Sequence, residues 1–152
     1  MTKLKKWVLT DNEADIWHKE FQLLPADLGL NSNWSIRKRV IKGGPSDGVD
    51  IIEVDNGALS FSIIPSRGMG IWKGQYRGLD IGWNSPVRGP VHPSYIDLQD
   101  RGGLGWLSGF DEAIVRCGLD STGAPGPDIV PNNMGIPTEV ELTLHGKLQT
   151  CQ

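Results

Sequence analysis

The chain has 152 residues, 38% of them apolar, with 15 Lys and Arg against 18 Asp and Glu for a net charge of −3. That length fits one domain or part of a larger one. The basic residues gather only as Lys3, Lys5, Lys6 and as Arg37, Lys38, Arg39, which excludes the coherent positive footprint of a nucleic-acid binder. No run approaches the roughly 18 apolar residues of a bilayer span, and the lysines at the amino terminus precede no apolar signal core, so the expected compartment is the cytoplasm, with no membrane partner.

In chain order, Thr10 to Leu24 reads as a short amino-terminal helix. Thr10 and Glu13 have the spacing of a capping box, Ala14, Trp17, Phe21 and Leu24 recur at helical intervals, and Pro25 closes the pattern. His18 then falls beside Trp17 as a partly buried helix residue. Residues 43 to 48, rich in Gly, form a loop. Val49–Val54 and Ala58–Ile64 are predicted strands joined at Asn56-Gly57, a pair that tolerates positive φ and signals a hairpin. In the second of them Leu59, Phe61 and Ile63 face one way and Ala58, Ser60 and Ser62 the other. Met69–Lys73 and Leu79–Trp83 are two further strands around a turn at Gly74–Gly78.

The stretch from Asn84 to Gly105 lacks periodicity, and loops of that length are often binding loops. Ala113–Leu119 is a predicted strand, with Cys117 as a small core residue. Ser121–Pro137, with four prolines, reads as a loop. Glu139–His145 is the clearest alternating strand, with Val140, Leu142 and Leu144 on its apolar face and Thr143 and His145 on a hydrated one. No helix of crossover length separates the strands, so the sheet is antiparallel. The fold class is mostly β.

Several residues have the chemistry for a site. His145 closes the last strand, is followed by Gly146, and titrates near neutral pH, so it can give or take a proton; the alternative is a hydrogen-bonded sheet-edge histidine. Arg67, held between small residues at a strand end, can offer several donors to ligand hydroxyls, or can simply sit in a tight turn. The six tryptophans include Trp72, Trp83 and Trp106 in the glycine-rich part. An indole suits the C–H face of a sugar ring, and equally suits a core. The acidic residues Asp97, Asp100, Asp111, Glu112, Asp120 and Asp128 show no paired spacing. His18, His92 and His145 are dispersed, so no metal or cofactor is expected. Cys117 and Cys151 lack metal-site spacing.

Three motifs carry a family resemblance: Ile64-Pro65-Ser66-Arg67-Gly68-Met69-Gly70-Ile71, then Arg116-Cys117-Gly118-Leu119 after the Trp106 segment, then Leu144-His145-Gly146-Lys147. From about Gly43 to Lys147 the chain resembles an uncharacterised branch of the aldose 1-epimerase, or galactose mutarotase-like, superfamily. The resemblance implies an antiparallel β supersandwich of which residues 1–152 form one domain's amino-terminal portion. It also implies a neutral sugar as ligand, with no cofactor, and proton transfer by a histidine acid and a glutamate base. On these motifs Arg67 and His145 are substrate-binding residues and His145 is the catalytic candidate; by residue type, Trp72 and Trp106 join them as sugar platforms. The base glutamate of such proteins lies near the carboxyl end, beyond the matching part of this chain. A non-catalytic sugar-binding module and a β-rich assembly subunit are the alternatives. A sheet with one apolar face must cover it, by a second chain or by self-association.

Overall fold

The computed structural model describes residues 4–119 and 121–150; Lys3, Asp120, Cys151 and Gln152 lie outside them. Where the capping pattern predicts a helix, the chain forms a hairpin of two short strands, β1 (Thr10–Asp11) and β2 (Ile16–Trp17). The Asp11 carboxylate accepts from the N–H groups of Glu13 at 3.0 Å and Ala14 at 3.1 Å, and Asp15 turns the backbone at φ 53°. Such side-chain bonds offer the backbone a local alternative to a helix. Downstream, β3 (Phe21–Leu23) pairs with β4 (Ser35–Val40). An isolated helix of that length is marginal in water, so tertiary pairing prevails. The expected helix is absent, and His18 is exposed.

Four more strands extend the sheet: β5 (Asp50–Asp55), β6 (Leu59–Ile64), β7 (Gly70–Tyr76) and β8 (Leu79–Ile81). Together β3 to β8 make a six-stranded antiparallel meander in which each strand bonds to the next in sequence. The chain is therefore predominantly β, as its alternation predicts. The Asn56-Gly57 hairpin forms: Asn56 Oδ1 accepts from Ala58 N at 3.0 Å and Leu59 N at 2.8 Å, and Gly57 has φ 87°. The next turn is tighter than expected. Strand β7 runs on through Tyr76, and Arg77-Gly78, both at positive φ, close a two-residue loop under the pair Tyr76 and Leu79.

Opposed residues share a sheet face. One cross-strand ladder runs Leu23, Ile36, Val54, Phe61, Gly74, Ile81, and its neighbour Gln22, Arg37, Glu53, Ser62. The first face is apolar, yet Ile36, Val54 and Phe61 are only half-buried and Ile81 is exposed. The buried cluster Val49, Ile51 and Ile64, flanked by Ile41 and Trp72, lies at the loop end of the sheet. On the apolar face Lys38 is also buried. Its ammonium meets Asp50 at 3.0 Å, donates to the carbonyl of His18 at 2.6 Å, and stands 5.1 Å from the centre of the Trp17 ring.

Three expectations in the second half need correction. Ser121–Pro137 contains a strand, β9 (Gly126–Pro131), which pairs with β10 (Pro137–Leu142). Strand β10 ends at Leu142, because Leu144 N–H bonds to the Gly103 carbonyl and His145 N–H to that of Gly123, both at 2.9 Å. His145 therefore stands in a turn. Ala113–Leu119 forms only single bridges, Ile71 to Ile114 and Gly118 to Gly146, since β8 already occupies part of the β7 edge, and Cys117 is exposed rather than in the core. Most residues of the β9–β10 hairpin are exposed. No helix among the described residues is long and apolar enough to cross a membrane.

Candidate functional site

Pro65–Arg67 makes a 3₁₀ turn at the end of β6, and Gly68 follows in the left-handed region. This turn sends the Arg67 side chain inward, where it is fully buried. Its Nε donates to Glu112 Oε1 at 2.5 Å and its Nη2 to Oε2 at 3.4 Å, while Nη1 reaches the Val91 carbonyl at 3.0 Å and Nη2 the Gly109 carbonyl at 2.8 Å. These bonds occupy four of the five N–H groups of a guanidinium. Arg67 thus holds three loops together through an ion pair with no exposed atoms, and it does not reach over a pocket.

Trp106 lies in the 3₁₀ turn Gly105–Gly109. Gly105 is required there, because a Cβ would collide with the Asp97 carbonyl. The Trp106 ring is buried, tilted against Phe110 with centroids 4.6 Å apart. It also meets the His145 imidazole in a T-shaped contact, with centroids 5.0 Å apart and planes at 78°. His145 has φ 58°, uncommon for a side chain with a Cβ. The fold over-determines this conformation: the His145 N–H donates to Gly123 and its carbonyl accepts from Gly118 N at 2.9 Å. Strain maintained this way is concentrated at functional positions. Beside it, Thr143 is buried, and neither its Oγ1 nor Trp106 Nε1 has a hydrogen-bond partner among the described residues.

Trp72 is half-buried on β7. Its Nε1 donates to Asp111 Oδ2 at 2.7 Å, and the Lys73 ammonium lies 3.9 Å from its ring centre. Burial raises the pKa of the Asp111 carboxyl, with the Glu112 charge adding to the effect; the Trp72 hydrogen bond, Lys73 and Arg67 act in the opposite direction. Burial also raises the Cys117 thiol, which disfavours its nucleophilic thiolate form. No three His, Cys, Asp or Glu side chains converge as metal ligands would among the described residues.

Arg67, Trp106 and His145 therefore meet around the segment 105–112, and Trp72 joins them through Asp111. Sequence reasoning missed Glu112 as the partner of Arg67. The signal was general only: an arginine buried in a core requires an anion, and no spacing identifies which.

The turn between β6 and β7 and the turn after β10 thus bring Arg67 and His145 to one aromatic loop, on a predominantly β chain. A solved structure of a putative aldose 1-epimerase from Klebsiella pneumoniae superimposes with a TM-score of 0.81 at 36% identity, covering 95% of this chain and 36% of that one. The chain thus spans about a third of that relative's length. Residues 46–152 match the model of a domain of unknown function, DUF4432, and the chain belongs to this family, an uncharacterised branch of the aldose 1-epimerase superfamily. No curated protein matches.

Proposed function

We propose that this chain provides the amino-terminal part of a sugar-binding β-sandwich domain and that the complete domain is an aldose 1-epimerase. The observation that carries this reading is His145, held at φ 58° by backbone bonds to Gly118 and Gly123 and set nearly perpendicular to the Trp106 ring. The imidazole gives a proton to the ring oxygen of the sugar while a carboxylate takes the proton of the anomeric hydroxyl. The C1–O5 bond breaks, C1 becomes an aldehyde and rotates, and the reverse transfers close the ring on its other face. Glu112 is committed to Arg67, so the base comes from another segment, which the relative's greater length supports. Arg67 acts by holding the loop of Trp106 in place, and Trp106 backs the imidazole.

Polarimetry on freshly dissolved α-aldoses tests this, on the 152-residue chain and in parallel on the longest polypeptide its reading frame encodes. His145→Ala is expected to lower the rate by about 10²-fold or more. No rate above buffer for either form, across a panel of aldoses, refutes catalysis.

The half-buried apolar face of the sheet favours a second reading as an assembly unit, with that face covered by a second copy or by further polypeptide. A stable, compact monomer of the 152-residue chain in sedimentation would count against it.

A further inference from the structure

Trp83 follows strand β8 and packs on Phe110, whose ring also meets Trp106. Trp83 is 46% exposed, yet its orientation is fixed. Its Nε1 donates to the Glu112 carbonyl at 3.1 Å, and Phe110 covers one side at a centroid distance of 4.9 Å. The Glu112 side chain is held by Arg67 in a fully buried ion pair, so the indole bonds to the backbone of a residue that is itself fixed. It forms one wall of a cleft of about 530 Å³ that Lys73, Asp80, Gly82 and Asn84 also line. Gly82 has φ 146° and leaves the rim of the ring without a side chain. Asp80 accepts from Gln75 Nε2 through Oδ1 at 3.2 Å, and a carboxylate has further acceptor sites for a donor. Asn84 is exposed and carries both a donor and an acceptor.

We propose that this cleft is a second carbohydrate-binding site, in which one pyranose ring packs its C–H face on the exposed indole of Trp83 while Asp80 and Asn84 bind its hydroxyls. The chemistry of the walls selects the ligand class. An immobile flat apolar surface with polar groups at its edge suits a ring that is apolar on its face and polar at its rim. One carboxylate and one ammonium balance, so a neutral ligand is favoured over an anion. Because Phe110 already occupies the other side of the indole, the platform takes a single ring. The platform loses no rotamer freedom on binding, which favours affinity for a small ligand.

The site does not depend on turnover at His145, and the probes are chosen accordingly: methyl β-D-glucopyranoside and methyl β-D-galactopyranoside cannot open their rings. The ¹⁵N-labelled chain is titrated with each, and the indole N–H resonances are followed, with that of Trp83 identified by its loss in Trp83→Phe. At least one glycoside is expected to shift the Trp83 resonance saturably, and Asn84→Ala, an exposed change, to weaken that binding about tenfold. A Trp83 resonance unmoved by both glycosides overturns the proposal. So does binding of equal strength in Asn84→Ala, or a shift confined to Trp106.

Discussion

Replacing Glu112 by Gln preserves its shape and removes its charge. Arg67 then stays buried with the carbonyls of Val91 and Gly109 but without a counter-ion. Breaking a buried pair by removing one member costs about 3–5 kcal/mol. The bonds support that range, since the two contacts to Glu112 are charge-assisted and such bonds contribute about 1.5–3 kcal/mol each. Glu112→Gln should therefore lower the urea midpoint at constant m-value by an amount equivalent to about 3 kcal/mol or more, and lower Tm by about 6–12 °C. The double variant Arg67→Met/Glu112→Leu should be more stable than Glu112→Leu alone, because it leaves no bare charge. If Glu112→Gln lies within about 0.5 kcal/mol of wild type, or if the double variant costs the sum of the singles, the ion pair does not hold the loops.

Gly105→Ala should destabilise by about 3 kcal/mol or more, since its Cβ meets backbone and nothing flexible can yield; a thermal melt unchanged from wild type contradicts the packing at Trp106. For Asp111 the folded pKa lies above its ordinary value of 3.8. The folded state therefore binds the proton more readily, and the group's contribution to stability falls as pH rises from that value through the folded one. Asp111→Asn should remove that decline while its amide oxygen still accepts from Trp72, so urea midpoints from pH 4 to neutrality should flatten; an unaltered slope rejects the assignment. Brief proteinase K digestion should cut first between Asn132 and Ile136, at the exposed end of the β9–β10 hairpin. First cuts within Pro93–Gly109 would contradict the order ascribed to those loops.

Strands β5, β6 and β7 were legible because apolar alternation and turn chemistry agree there. Strand β4 was not, because Lys38 occupies an inward position between Ile36 and Val40 and breaks the period-two pattern. Strand β9 carries Pro127 and Pro131, which read as loop residues but are tolerated at the edge of a two-stranded hairpin. The amino-terminal helix pattern was real in spacing but lost to the Asp11 turn and the β4 edge. At the site, His145 and Arg67 stood out by residue type, while their surroundings came from contacts distant in sequence. Glu112 is 45 residues from Arg67, and the alternation through Leu144 hid the turn that Gly103 and Gly123 impose on His145.

The Lys38–Asp50 contact ties strand alignment to electrostatics. Shifting β4 by one position against β5 would rotate the lysine onto the opposite surface. Shifting it by two would keep the surface but carry the ammonium about 7 Å along the strand, isolating both charges out of water at a penalty of several kcal/mol. Neutral side chains in a flat meander could tolerate such slippage. With this pair inside, β4 and β5 have a single favourable alignment, and a misaligned hairpin is penalised once the Trp17–His18 segment covers the lysine.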